Sequence, residues 1–380
     1  MTEARRWGYK QLKGRNSVPL SVVIVGPSPP PYGGMALQAT ALVDRLKQDG
    51  VDVEFLATNP RLPTFLARVK GLRTVVQSLV FFWNLCHSLT RRRVVHLLAA
   101  SHWYFVLRVI PTIIVGKLFG RRVILNYRGG EAPQFFARYR WLVLPSLRLV
   151  DNIAVPSRYL QRVFTAYGFS AKVIANFVDL QRFRFRQRVQ LRPWLLVNRS
   201  LEPLYNVRMA IAAFRLVQAK HGNARLDIVG GGSEETALRR WVEQEGITEV
   251  YFHGAVPNEE IPRYLEKADI LLNPSNADNM PINLLEAFAA GVPVVTTNVG
   301  GIPDLVGPQN AALLVDPDDA ASMAAQIEFL LQRADEATRL TSRAKAISES
   351  ANWERVGSLW REMYRECASP GKAKNANAIG

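Results

Sequence analysis

Cysteine is nearly absent from this 380-residue chain, which contains only Cys86 and Cys367. Two cysteines cannot form a disulfide framework, so we expect a reducing compartment. Long apolar runs are also missing, because the two longest, residues 74–89 and 103–120, are interrupted by polar residues or proline. Neither contains the roughly 20 consecutive, predominantly apolar residues that a membrane-spanning helix needs. The first 16 residues are basic but have no apolar core, and no signal peptide is predicted there.

Acidic residues are scarce in the first half of the chain. Residues 1–180 contain 25 Lys and Arg against 8 Asp and Glu, a net charge of +17, whereas residues 181–380 contain 23 against 24. Such a one-sided charge favours an anionic partner, and the candidates are membrane phospholipid, a lipid diphosphate or nucleic acid. The alternative is a basic face that serves only solubility.

Aromatic residues interleave with these basic residues, a mixture that partitions to membrane interfaces. We therefore place an anionic membrane surface first among the partners, and we expect no nucleic acid, because no recognised binding motif accompanies the charge. The aromatic residues concerned are Trp7, Tyr9, Phe81, Phe82, Trp83, Trp103, Tyr104, Phe105, Tyr139 and Trp141.

Residues 269–306 form the most informative stretch. Residues 270–273 and 292–297 are apolar runs that predict buried strands, and between them residues 282–290 predict a helix that Gly291 and Pro293 end. Alternation of short apolar strands with helices elsewhere in the chain predicts parallel, doubly wound α/β sheets. Loops at the carboxyl edge of such a sheet bind ligands, and helix N-termini there offer N–H groups to phosphate.

Two carboxylates stand eight positions apart in this stretch, Asp278 in the loop and Glu286 in the helix. They could accept hydrogen bonds from two separate hydroxyl-bearing parts of one ligand. An N-cap Asp with a solvated Glu is the structural alternative. The helix around Glu286 is too apolar for a surface helix, so a carboxylate there needs a partner.

The run from Pro274 through Glu286 to Val306 resembles the donor-binding motif of the retaining glycosyltransferases of family 4, also called glycosyl transferases group 1. The resemblance implies the GT-B fold, in which two Rossmann-like doubly wound parallel-sheet domains face each other across a cleft. It implies that Glu286 binds the ribose of a nucleotide diphosphate-sugar and that Asp278 contacts the sugar. Asp278 replaces the usual Glu and is one methylene shorter.

The resemblance extends to further donor-binding positions and implies a diphosphate contact for Arg199. The other residues that it places at the donor are Gly33, Gly34, Tyr205, Gly230, Val256, Asn279, Met280 and Pro281. No cofactor and no metal are implied, since the nucleotide diphosphate-sugar is a substrate. Asp316, Asp318 and Asp319 precede a predicted helix, where helix capping is their favoured role.

Two further residues depart from the family pattern, Arg128 where a His is common and Tyr205 where a Lys is usual. An arginine cannot act as a base near neutral pH, but it binds phosphate well. We interpret Arg128, Asp278 and Arg199 as the catalytic candidates. His96 and His102 are possible substitutes for the missing His, although a packed or surface role is commoner for such residues.

The predicted domain organisation has six segments. They are a basic tail (residues 1–20), an N-terminal acceptor domain (21–180), a linker (181–193), a C-terminal donor domain (194–350), a crossover helix that returns to the N-terminal domain (351–368) and a disordered tail (369–380).

The sequence thus predicts a cytoplasmic, membrane-peripheral retaining glycosyltransferase that transfers a sugar to a lipid-linked saccharide in polysaccharide or envelope glycan synthesis. A non-catalytic GT-B protein that binds nucleotide sugars is the alternative, which the departures at Arg128, Tyr205 and Asp278 favour. A GT-B epimerase is disfavoured by the pair of Asp278 and Glu286.

Overall fold

The computed structural model describes residues 20–29, 33–60, 70–307 and 309–369. The predicted tails, residues 1–20 and 369–380, lie outside the described residues except for Leu20 and Ser369, and so do Trp7 and Tyr9.

A parallel sheet forms the centre of the N-terminal domain. Its strands are β1 (Ser21–Gly26), β2 (Asp52–Ala57), β3 (Val94–Ala99), β4 (Arg122–Tyr127), β5 (Asn152–Val155) and β6 (Lys172–Val173). Their order is β2-β1-β3-β4-β5-β6, and every neighbouring pair is parallel. β3 is buried along its whole length, as expected of a parallel strand covered by helices on both faces.

The helices of this domain form two layers. They are α1 (Gly34–Gln48), α2 (Lys70–Arg91), α3 (His102–Tyr104), α4 (Ile110–Leu118), α5 (Ala132–Arg138), α6 (Arg140–Leu147) and α7 (Arg158–Ala166). A π-helical stretch, Phe105–Val109, joins α3 to α4. One core lies between the sheet and α2, α4, α5, α6 and α7, and the core on the opposite face contains α1.

The C-terminal domain repeats this architecture. Its strands are β7 (Trp194–Asn198), β8 (Arg225–Val229), β9 (Val250–Gly254), β10 (Ile270–Asn273), β11 (Val294–Thr297) and β12 (Leu313–Val315), in the parallel order β12-β11-β10-β7-β8-β9. Its helices are α8 (Val207–Gln218), α9 (Glu235–Gln244), α10 (Ile261–Lys267), α11 (Ile282–Ala290), α12 (Ile302–Val306), α13 (Ala320–Gln332) and α14 (Ala334–Ser350). Two doubly wound parallel sheets confirm the predicted GT-B class.

The last helix, α15 (Trp353–Ala368), leaves the C-terminal domain and packs on the N-terminal one. Val356, Trp360 and Tyr364 join the core that contains α1. The Tyr364 hydroxyl lies 2.7 Å from Nδ1 of His96 on β3. This return of the chain gives the two domains a second connection.

The predicted linker, residues 181–193, is anchored to the C-terminal domain. Arg188 is buried and donates hydrogen bonds to the carbonyl oxygens of Leu265, Ala268 and Gly291 at 2.6 to 2.9 Å. These carbonyls lie near the C-terminal ends of α10 and α11, where a cation is favourable. Burial nevertheless lowers the pKa of Arg188 to about 10.

The eight described aromatic residues assigned to a basic surface divide into three groups. Phe81 and Phe105 are fully buried in the core, so their assignment to the surface is wrong. Trp83, Trp103 and Trp141 are more than two-thirds exposed. Phe82, Tyr104 and Tyr139 are partly buried against that core. Within the part of the chain that the structure describes, no helix has the length and apolarity needed to cross a membrane.

Candidate active site

The carboxyl edges of the two sheets border a cleft of about 570 Å³. The predicted donor residues that line it are Gly33, Gly34, Arg199, Tyr205, Gly230, Val256 and Glu286. In the C-terminal sheet β7 and β10 are neighbours, although the helices that follow them, α8 and α11, pack on opposite faces of the sheet. Ligands bind at such switch points, and Arg199 directly follows β7.

Two helix N-termini from opposite domains meet at this cleft. α1 begins after Gly33 and α11 after Pro281, and neither has a side-chain cap. A Cβ atom at Gly34 would lie 3.5 Å from Cδ1 of Ile282, so the two helix starts are close together. The first-turn N–H groups of both helices are therefore available to an anion.

Two residues of its own domain accept hydrogen bonds from Arg199. Its Nη2 lies 2.5 Å from a carboxylate oxygen of Asp278, and the two side chains are only 11% and 14% exposed. Nη1 donates to Asn283 at 3.3 Å, whereas the buried Nε has no hydrogen-bond partner among the described residues. An unpaired buried donor at a cleft suits an anionic ligand. Sequence reasoning missed both the ion pair and Asn283, because 79 and 84 positions separate these residues from Arg199.

Tyr205 orients this arginine and adds no charge to the site. Its ring centroid is 3.9 Å from the Arg199 guanidinium carbon, a distance typical of a cation–π contact. A short 3-10 turn, Pro203–Tyr205, presents the ring, and Asn206 follows with a φ of 44°. The residue in the usual lysine position therefore contacts the arginine directly.

Glycines set the shape of the loop after β8. A Cβ atom at Gly230 would lie 1.9 Å from the Arg199 carbonyl oxygen, and one at Gly232 would lie 2.2 Å from that of Leu201. Gly230 also has a φ of 146°, which L side chains rarely adopt. The loop after β8 therefore packs backbone against backbone with the loop after β7. The position of Arg199 thus depends on Gly230.

The loop that bears Asp278 is enclosed by glycines of both domains. Gly301 donates its N–H to the Asp278 carbonyl at 3.1 Å, and a Cβ atom at Gly300 would approach that oxygen to 1.9 Å. From the N-terminal domain, a Cβ atom at Gly130 would lie 3.2 Å from the Asp278 backbone. The loop therefore cannot shift without moving its neighbours.

The side chains of Asn279 and Met280 contact the N-terminal domain, whereas the prediction placed them at the donor. Ser157 donates to the Asn279 side-chain oxygen. Asn176 donates its side-chain amide to the Met280 carbonyl at 2.7 Å and its backbone N–H to the sulfur. The loop beside the cleft thus consists of Asp278, Asn279, Met280 and Pro281. Residues of both domains contact this loop.

Arg128 belongs to this interdomain contact. Its guanidinium donates to the side-chain oxygen of Asn176, which in turn binds Met280. Burial lowers the pKa of Arg128 to about 10, so the side chain remains cationic near neutral pH. Arg128 is therefore linked to the loop of residues 278–281 through Asn176.

The two candidate histidines differ in their surroundings. His96 is fully buried, stacks on Trp360 at 4.4 Å and contacts Asn126 and Tyr364, and burial lowers its pKa to about 3. It is a packed core residue, which contradicts a role as the base. His102 is exposed, and its Nε2 lies 3.1 Å from the Glu131 carboxylate.

Glu286 faces both the cleft and an adjoining cavity of about 300 Å³ that also contains Arg182 and Asp44. It is 5% exposed, and its side chain forms no hydrogen bond with any described residue. Burial raises the pKa of Glu286 to about 7, while the positive charge of Arg182 opposes that shift. A buried carboxyl group of this kind needs a hydroxyl or amine donor to be ionised without penalty.

Replacing Glu286 with glutamine tests this carboxyl group through pH. The pKa of Glu286 is about 7 in the folded state and 4.5 ordinarily, so the folded protein resists ionisation of this carboxyl group. The free energy of unfolding is therefore fully present below pH 4.5 and falls as the pH rises through 7. The variant lacks this loss, so at about pH 8 we expect Glu286→Gln to be more stable than the wild type by about 2 to 4 kcal/mol in urea unfolding. Asp44→Asn, at an exposed position of the same cavity, is the control.

Asp319 caps α13, as predicted. One of its carboxylate oxygens accepts the Ser322 N–H at 2.8 Å, and the other accepts the Ser322 hydroxyl. Asp318 instead accepts a hydrogen bond from Asn206.

Comparison with known proteins identifies two family models that together span most of the chain. The model described as Glycosyltransferase Family 4 matches residues 32–182, and the model described as Glycosyl transferases group 1 matches residues 181–347.

Among curated proteins, the chain is similar to the amylovoran biosynthesis glycosyltransferase AmsK of Erwinia amylovora, with 30% identity over 58% of this chain and 54% of that protein. It is also similar to the GDP-mannose-dependent alpha-(1-6)-phosphatidylinositol monomannoside mannosyltransferase of Mycolicibacterium smegmatis, with 30% identity over 58% of this chain and 65% of that protein. The matches thus span just over half to about two thirds of these relatives.

Among solved structures, Anabaena HepE in complex with UDP and glucose aligns with a TM-score of 0.70 over 90% of this chain and 99% of that chain. The sequence identity is 17%, so this likeness concerns the fold.

Proposed function

Because the chain belongs to glycosyltransferase family 4, we propose that it transfers a sugar from a nucleotide diphosphate-sugar to a saccharide acceptor, with retention of the anomeric configuration. The observation that carries the proposal is the meeting of the α1 and α11 N-termini with Arg199 in one interdomain cleft. Helix N-termini and arginine are the groups that proteins use for diphosphates. The UDP bound to HepE supports a donor of this class.

We propose that successive residues of the cleft bind successive parts of the donor. Arg199 and the α11 N-terminus would hold the diphosphate, Glu286 the ribose, and the loops of Gly230 and Val256 the base. Asp278 would contact the sugar, since it lies beside Arg199 at the end nearest the Gly130 loop. In this structure one carboxylate oxygen of Asp278 pairs with Arg199. The other accepts a hydrogen bond from the Asn279 N–H.

In the proposed reaction, the bond between the anomeric carbon and the diphosphate oxygen breaks, and the acceptor hydroxyl oxygen bonds to that carbon on the same face. The proton of this hydroxyl passes to the departing diphosphate oxygen. Arg199 and the helix N-terminus would stabilise the negative charge that develops on the diphosphate. No protein base is required, which agrees with an arginine at position 128 and with the burial of His96.

We propose a lipid-linked saccharide of polysaccharide or envelope glycan synthesis as the acceptor and the cytoplasmic face of a membrane as the location. Two relatives support this choice, since AmsK acts in amylovoran biosynthesis and the mycolicibacterial protein acts on a phosphatidylinositol monomannoside. The positive charge of the N-terminal half supports it independently.

A donor panel tests the proposal. UDP-, GDP- and ADP-sugars that bind should raise the melting temperature by mass action, and at least one should release nucleotide when membrane extract supplies the acceptor. A non-catalytic GT-B protein is the second candidate, which the unusual residues Arg128, Tyr205 and Asp278 favour. If sugars bind but none is transferred or hydrolysed, the second candidate is correct.

Arg128→Ala separates turnover from donor affinity. Because the Arg128 guanidinium is linked to the loop of residues 278–281 through Asn176, we expect kcat to fall about 10- to 100-fold while donor affinity in calorimetry changes little. Arg128→His should retain activity, since it restores the family residue. Arg158→Ala, at an exposed position of the same domain, is the control. Equal losses of donor affinity and kcat would place Arg128 in direct contact with the donor.

A further inference from the structure

Exposed large apolar side chains concentrate on one side of the N-terminal domain. Of the fifteen that occur among the described residues, ten lie between residues 75 and 149. These ten are Val75, Leu79, Trp83, Trp103, Leu107, Ile114, Leu118, Phe119, Trp141 and Leu149. They belong to α2, α3, the π-helical stretch, α4 and α6 or to the turns after α4 and α6, all on one side of the sheet. We call this surface the outer helix face.

α2 is apolar on both of its sides. Its inner side places Phe81, Leu85 and Leu89 in the core, fully buried. Its outer side exposes Val75, Leu79 and Trp83, which are spaced four residues apart and therefore line one stripe. No charged residue occurs between Thr74 and Thr90. A helix at a water-facing surface normally has a polar outer side, so this one indicates a partner that accepts apolar groups.

The charge around this face has a single sign. Residues 70–150 contain thirteen Lys and Arg and one acidic residue, Glu131, which is bonded to His102. Arg138, Arg140 and Arg148 are exposed next to Trp141 and Leu149, and none of the three pairs with an acidic residue in the described part of the chain. Exposed tryptophans among unpaired arginines are the mixture that settles at the headgroup level of an anionic bilayer.

We propose that the outer helix face is a docking surface for an anionic phospholipid bilayer. Trp83, Trp103 and Trp141 enter the headgroup region, and Arg138, Arg140 and Arg148 pair with lipid phosphates. This inference deepens the membrane part of the proposed function and rests on that part alone. A protein partner of this face would have to be strongly acidic, because the charged residues around the face are almost all basic.

This placement also orients the cleft. Trp103 and Leu107 follow β3 at the carboxyl edge of the N-terminal sheet, the same edge from which the N-terminal domain faces the donor cleft. Docking through these residues holds the mouth of the cleft at the lipid surface. An acceptor saccharide attached to a lipid then reaches the site without leaving the bilayer.

Vesicle sedimentation of the full chain tests the proposal with phosphatidylcholine vesicles, with and without phosphatidylglycerol. We expect binding only when phosphatidylglycerol is present, with a decrease as salt is raised. The variant Trp83→Ser, Trp103→Ser, Trp141→Ser should bind at least about tenfold more weakly. The variant Arg138→Glu, Arg140→Glu, Arg148→Glu should lose about two orders of magnitude.

Matched controls change equivalent residues on the C-terminal domain. Leu216→Ser with Phe329→Ser removes exposed apolar groups, and Arg240→Glu, Arg333→Glu, Arg343→Glu changes the net charge equally. Both controls should bind vesicles as the wild type does, and all variants should keep the wild-type melting temperature and nucleotide affinity.

Three outcomes would overturn the proposal. Wild-type binding that the N-terminal variants leave unchanged would place the membrane contact elsewhere. Absence of any vesicle binding would remove the membrane location itself. If the chain forms a dimer and only the tryptophan variant is monomeric, the face binds a second copy of the chain. Sugar transfer to a soluble acceptor, measured in parallel, would survive each of these outcomes if the glycosyltransferase activity is correct.

Discussion

Arg199→Ala is expected to lose both stability and diphosphate affinity. The substitution leaves the Asp278 carboxylate largely buried without its cation, and breaking such a pair costs about 3 to 5 kcal/mol. It should also remove the proposed charged hydrogen bonds to the donor, and we expect the affinity for a nucleoside diphosphate to fall by about 1.5 to 3 kcal/mol. The affinity for the corresponding nucleoside should not change. Urea unfolding measures the first effect and calorimetry measures the second.

The double variant Arg199→Ala with Asp278→Asn separates the two effects. Neutralising Asp278 removes the uncompensated charge, so most of the lost stability should return, whereas diphosphate affinity should remain low. Arg240→Ala, at an exposed arginine of the same domain, is the control. If nucleoside and nucleoside diphosphate lose affinity equally, Arg199 has a structural role and does not contact the diphosphate.

Gly230→Ala is the second substitution with a large expected effect. The new Cβ atom would lie 1.9 Å from the Arg199 carbonyl oxygen, at a φ of 146° that alanine rarely adopts. The loops after β7 and β8 must therefore separate, and we expect a loss of about 2 to 4 kcal/mol in the free energy of unfolding. Because Arg199 moves with its backbone, donor affinity should fall at the same time.

Gly222→Ala provides the matched control for this substitution. No atom lies within 4 Å of a Cβ atom at Gly222, and the residue has no positive φ, so its stability should change by less than about 0.5 kcal/mol. Wild-type unfolding and donor binding in Gly230→Ala would mean that the loop is more adaptable than its close packing indicates.

Local patterns predicted two of the three central elements to the residue, whereas β11 begins at Val294 and not at the predicted residue 292. The structure has β10 at Ile270–Asn273 and α11 at Ile282–Ala290, the predicted bounds of both. Gly291 ends α11 with a φ of 69°, the left-handed conformation that glycine adopts without strain. Strand β6, in contrast, was not predicted, because two residues, Lys172–Val173, carry no periodic signal.

Side-chain partners were predicted less well than backbone elements. Arg199 and Asp278 were assigned separate contacts with the donor, yet they bind each other because β7 and β10 are neighbours in the sheet. Asn279 and Met280 turned out to contact Ser157 and Asn176 of the other domain. These contacts depend on strand order and domain packing, which no local spacing encodes.

By itself, the sequence determined the family, the two parallel α/β domains, the distribution of charge and seven of the residues that line the cleft. These properties follow from hydrophobic periodicity, composition and motif spacing, which act over a few neighbouring residues. Only the tertiary structure decided that His96 is packed in the core while His102 is exposed, and that Phe81 faces inwards while Trp83 faces outwards. The reason is that burial of a side chain depends on which distant elements cover it.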